Sequence, residues 1–214
     1  MVTNWHVVAG RDPDTGQPLD SQGAIPDSLT VFHNRSGQLG QWIEKSERLC
    51  DERGGRGWLE HPDFPHGAVD AVALRLTDLD EAECIGHDPW SSGTQALFGA
   101  GEHVNIIGFP FGLTGGGYCA IWIQGAVATE PALDFDGLPC FLVDARTRPG
   151  QSGSPVLVYR PPGSAYTTQS GGTVIAAAGT ERLLGIYSGR INAQSDLGYV
   201  WKAEALKAIV ERGI

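Results

Sequence analysis

Gly150-Gln151-Ser152-Gly153-Ser154-Pro155 sets a serine in a glycine-framed turn, just ahead of an apolar run at 155–159. A string of this form arises by chance in roughly a few per thousand chains of such composition. Glycine lets the backbone turn tightly, which exposes the Ser152 hydroxyl and lets the Gly150 and Ser152 N–H groups converge on one point. Paired donors of that kind stabilise an oxyanion, and losing one costs roughly 3–4 kcal/mol of transition-state stabilisation. Taken alone, the string reads equally well as a Gly–Ser turn joining two strands.

The flanking sequence is built of short runs. Apolar or alternating stretches at 29–33, 40–45, 69–76, 103–109, 119–128, 141–145, 155–159, 174–179 and 183–187 predict strands. Turn-rich stretches at 10–28, 46–68, 77–102 and 160–172 predict loops, and a first domain boundary falls near 90–100. Thirty glycines and 13 prolines in 214 residues fit many tight turns. Only the tail, 201–212 (WKAEALKAIVER), has helical spacing. An all-β barrel or sandwich with one terminal helix is expected.

Charge narrows the partners. Fifteen Lys and Arg against 25 Asp and Glu give −10, which argues against nucleic acid or an anionic membrane surface. No run approaches the ~18 apolar residues that span a bilayer. The cysteines at 50, 84, 119 and 140 form no CxxC pair and favour a reduced compartment, so a cytoplasmic location is expected. A Cys119–Cys140 bridge between neighbouring strands stays open. His61 and His66, with Asp63, lie in a proline-broken loop, so a surface loop is expected there and no metal site.

Ser152 needs a base, and the base needs an orienting carboxylate. His6 lies in an apolar run, VTNWHVVAG, that starts as the middle of a strand and ends in a turn; Asp70 sits within the strand pattern VDAVALRL. A lone histidine there reads as a core residue. A lone aspartate reads as a solvated edge position, unless it is buried, where it must be paired. Together the order is His6, Asp70, Ser152, which is the chymotrypsin order. TNWHVV (3–8) resembles the histidine segment of chymotrypsin-fold, trypsin-like serine peptidases, especially the bacterial, disulfide-poor branch. DAVALRL (70–76) resembles the aspartate segment, GEHVNIIGFPFG (101–112) the first strand of the second barrel, and RPGQSGSPVL (148–157) the nucleophile segment. GIYSG (185–189) is similar to the strand lining the substrate cleft, so the resemblance runs from residue 2 to about 201.

That resemblance implies two six-stranded antiparallel Greek-key β-barrels, over 1–96 and 97–200, and a C-terminal helix over 201–214. It implies a serine endopeptidase acting on polypeptides without a cofactor, with His6 as general base, Asp70 orienting it and Ser152 as nucleophile. Gly150 and Ser152 N–H would form the oxyanion hole. Ser188 would hydrogen-bond Asp70, and Gly189 would pair with substrate backbone. Arg146 falls near the floor of the primary pocket, where trypsin-type enzymes carry an acid, so a Lys/Arg preference is not expected; an outward Arg146 is. Tyr187 would narrow that pocket if it points inward. The family has two further strands before its histidine, and here five residues precede His6. The first barrel is therefore expected to be truncated and completed by an upstream segment or a partner chain. The rival reading is a catalytically inactive or conditionally active fold that serves as a protein-binding module.

Overall fold

The computed structural model describes residues 1–51, 54–87, 96–168 and 170–214. Residues 88–95, the part of the expected 77–102 connection that carries Trp90, lie outside the described residues, as do 52–53 and 169 of the expected loops. Of the described residues, 41% are in strands and 10% in helices.

The first half opens with β1 (Val2–Thr3), α1 (Trp5–Ala9), β2 (Ser28–Arg35) and β3 (Gln38–Arg48), followed by β4 (Trp58–Leu59), β5 (Val72–Leu74) and β6 (Ala82–Glu83). They form two three-stranded sheets, β1-β5-β4 and β3-β2-β6. Among the described residues these sheets do not join into a closed barrel: β1, β4 and β6 are two residues each, and β6 reaches β2 at Asn34 and Arg35. The run at 2–8 is corrected. Its strand ends at Thr3 and His6 rides on α1, because Asn4 turns the chain and left-handed Gly10 ends the helix, donating its N–H to the His6 carbonyl. Asp70 precedes its strand instead of lying within it, since only 72–74 find partners, in β1 and β4.

The second half contains β7 (His103–Gly108), β8 (Ile121–Val127), β9 (Cys140–Ala145), β10 (Pro155–Arg160), β11 (Ala165–Thr167), β12 (Thr173–Ile175), β13 (Thr180–Arg190), β14 (Leu197–Lys202) and α2 (Ala203–Arg212). Six of these strands close an antiparallel barrel in the order β10-β13-β14-β9-β8-β7. Period-two alternation turns Val104 and Ile106 of β7 inward, where they meet Phe141, Val143, Val156, Leu184 and Val200. The expected loop at 160–172 contains β11, which pairs with β12 as a hairpin. The tail helix starts at Ala203, because Trp201 still pairs in the barrel with Cys140 and Ile186.

No Cys119–Cys140 bridge forms; all four cysteines are free. The β8–β9 register pairs Gly125 with Ala145, which puts Cys119 and Cys140 at opposite ends of the hairpin. A second apolar cluster joins the halves. Val69 and Ala71 pack with Cys140, Ile186, Trp201, Leu206 and Ile209, which holds the segment carrying Asp70 against the barrel and α2. Among the described residues, no helix is long and apolar enough to cross a membrane.

Candidate active site

The helix carrying His6 is too short to hold itself, since isolated helices under ~12 residues are marginal in water. Trp5 anchors it. Its indole N–H donates to Glu60 Oε1 at 3.0 Å, and the same buried carboxylate accepts from Trp58 Nε1 (3.1 Å) and His66 N–H (2.7 Å) and pairs with Arg56. Burial pushes the Glu60 pKa up, but Arg56 and the three N–H donors outweigh it and hold the carboxylate below its ordinary range.

Asp70 is the hub. It is 2% exposed. Its Oδ1 accepts the His6 backbone N–H at 2.9 Å, and its Oδ2 lies 2.8 Å from His6 Nδ1 and accepts a short hydrogen bond from Ser188 Oγ. Buried Asn4 donates from Nδ2 to the Asp70 carbonyl at 2.6 Å. A carboxylate at Nδ1 selects the tautomer with the proton there, which leaves Nε2 of the neutral ring as an acceptor.

Ser152 lies at the turn between residues 146–151 and β10. Gly150 has φ +92°, and a Cβ there would lie 2.6 Å from the Phe109 carbonyl, so glycine is required. The Pro149 carbonyl accepts the Phe111 N–H at 2.6 Å, which aims the Gly150 N–H the opposite way across a trans peptide. Gln151 is fully buried, and its Oε1 accepts the Arg148 N–H at 2.7 Å. Gly153 N–H donates to the Tyr187 carbonyl and Tyr187 N–H to the Ser154 carbonyl, both at 2.8 Å. Among the described residues, the Gly150 and Ser152 N–H groups have no intramolecular partner. Ser152 Oγ donates to the Ser188 carbonyl at 3.0 Å, and no hydrogen bond joins it to His6.

No family model and no curated protein matches the chain. Among solved structures, the chain is similar to the Rv3671c protease in its inactive form: 16% identity, TM-score 0.46, covering 98% of this chain and 76% of that one. The active form of Rv3671c protease from M. tuberculosis gives 12% identity and TM-score 0.41 over 97% of this chain and 86% of that one. The HtrA-type protease AlgW with a decapeptide gives 16% and 0.40 over 86% and 63%.

His6, Asp70, Ser152, Ser188 and Gly189 line one cavity of about 410 Å³, together with Asp12, Asp14, Asp136 and Arg190. The Thr15 backbone N–H holds Asp12 below the ordinary carboxylate range. Arg146 stands apart with an exposed side chain, while Tyr187 is buried in the barrel. His61 does not converge with His66: its Nδ1 accepts the Asp63 N–H at 3.2 Å, its ring packs on Phe64, and its burial keeps it below the ordinary histidine range. Among the described residues, no group of three His, Cys, Asp or Glu side chains is placed to hold a metal. The supporting residues Asn4, Glu60 and Gln151 had no signal in the local sequence, apart from their positions beside candidate segments.

Proposed function

We propose that this chain is a serine endopeptidase of the two-barrel, chymotrypsin-like type. The reading is carried by one observation: the buried Asp70 carboxylate gathers His6 Nδ1, His6 N–H and Ser188 Oγ beside Ser152 in a single cavity. A carboxylate taken out of water needs such partners, and here one of them is an imidazole that can serve as a base.

In the reaction, the Ser152 hydroxyl rotates from the Ser188 carbonyl to His6 Nε2. Its oxygen attacks the peptide carbonyl as its proton passes to His6. Asp70 stabilises the imidazolium, and the Gly150 and Ser152 N–H groups receive the oxyanion. Collapse breaks the C–N bond, His6 returns the proton to the leaving amine, and the acyl group stays on Ser152. Water then attacks with His6 again as base, releasing the acid and restoring Ser152.

Intact-mass analysis after a fluorophosphonate probe tests this. One adduct is expected on the wild-type chain and none on Ser152→Ala. A specific observation favours the second reading, an inactive or conditionally active binding module: the hydroxyl rests on the Ser188 carbonyl and away from His6. A folded chain that takes no adduct would decide for that reading.

A further inference from the structure

The wall behind Ser152 is filled by a phenol. Tyr187, 3% exposed, immediately precedes Ser188, and its backbone is bonded on both sides to the nucleophile turn, at Gly153 and Ser154. Its ring crosses Gly198 of β14. A Cβ on Gly198 would lie 2.5 Å from Tyr187 Cε2 and 2.7 Å from its Oη, so only glycine leaves room for the ring. The Tyr187 Oη is hydrogen-bonded at 2.5 Å to Thr147 Oγ1, and Thr147 is itself 1% exposed. Arg148 pins that segment, donating from Nη1 to the Thr147 carbonyl and from its backbone N–H to Gln151 Oε1, each at 2.7 Å. Burial raises the Tyr187 pKa above its ordinary value, so the hydroxyl stays neutral.

One residue further on the surroundings are open. A Cβ built on Gly189 would meet nothing within 4 Å. A substrate strand lying along 188–190 therefore has room for its backbone. On the peptidase reading, the side chain next to its scissile carbonyl would enter beside Ser152, between 147–151 and 187–189, where Tyr187 and Thr147 lie buried and bonded to each other.

We propose that Tyr187, clamped to Thr147 across Gly198, closes the primary side-chain pocket and restricts the acyl-side residue of the scissile bond to glycine, alanine or serine. This rests on the peptidase reading above.

The test uses the full chain and a series of fluorogenic peptides that differ only in the acyl-side residue: Gly, Ala, Ser, Leu, Phe, Lys or Glu. Active sites are counted with the fluorophosphonate. The wild type is expected to favour Ala over Leu and Phe by at least about tenfold in kcat/KM, the range that pocket sterics deliver. Tyr187→Val is expected to move the ratio toward Leu by about tenfold, whereas Tyr187→Phe, which keeps the ring, still favours Ala. The wild-type series decides even where a variant fails to fold. A labelled wild type that cleaves after Leu, Phe, Lys or Glu as fast as after Ala overturns this inference alone. A chain that is neither labelled nor active overturns the peptidase reading and this inference with it.

Discussion

Asp70 shows how a single residue can be weak in sequence and decisive in space. Its three side-chain hydrogen bonds come from residues 64 and 118 positions away, so nothing beside it in the chain announces them. Asp70→Asn keeps the size and removes the charge. The new amide can donate toward His6 and favours the wrong tautomer, so kcat is expected to fall about 10⁴-fold with the fold retained by circular dichroism. Wild-type turnover in that variant would refute the role. Ser152 was legible because glycines and a proline frame it locally. Asn4 and Gln151 were not, because a buried side chain bonded to a distant or backbone partner leaves no periodic trace. The direction of Tyr187 was equally hidden: β13 buries residues on both of its faces, with Ile186 toward α2 and Tyr187 into the barrel.

At the scale of elements, the long alternating strands of the barrel were readable, and the two-residue strands of the first half were not. Their pairing depends on a register set elsewhere. The five-residue α1 carries too few positions to show a helical period, and its stability comes from Trp5 on Glu60. Glu60→Gln is expected to cost about 1–3 kcal/mol, as Arg56 loses its charge partner and the His66 N–H, bonded to Oε2, faces an amide NH2 in place of its acceptor. The sign of the pH effect follows from the depressed Glu60 pKa. Its stabilisation is complete above the ordinary glutamate range and is lost as pH falls through that range toward the lower folded value. Tm measured from neutral pH down to about pH 3 should therefore drop more steeply for the wild type than for Glu60→Gln, with the divergence below the ordinary glutamate range of about 4.3. Parallel curves would show that Glu60 contributes nothing through its charge.

For the molecule as a whole, the seam between the halves matters most, because His6 and Asp70 come from one side and Ser152 and Ser188 from the other. Among the described residues, no hydrogen-bonded sheet crosses that seam. Beside the Ser188–Asp70 hydrogen bond, apolar packing crosses it, of Val69 and Ala71 on Ile186, Trp201, Leu206 and Ile209, with Cys140 among them. Cys140 therefore reports on the seam. Its thiol is buried, with Sγ directed at the Phe135 carbonyl, and burial pushes its pKa up to about 11, while Cys50, Cys84 and Cys119 are exposed. Only thiolate attacks a disulfide reagent, so at pH 8 about one Cys140 in a thousand is reactive even before access is counted. Titration with an aromatic disulfide should consume the three exposed thiols at once and Cys140 only as the seam opens. Trp201→Ala, which cuts a cavity in that cluster, should hasten the slow phase and lower fluorophosphonate labelling together, because one opening separates Asp70 from Ser188 and exposes Cys140. If the slow phase quickens while labelling holds, the seam does not align the site.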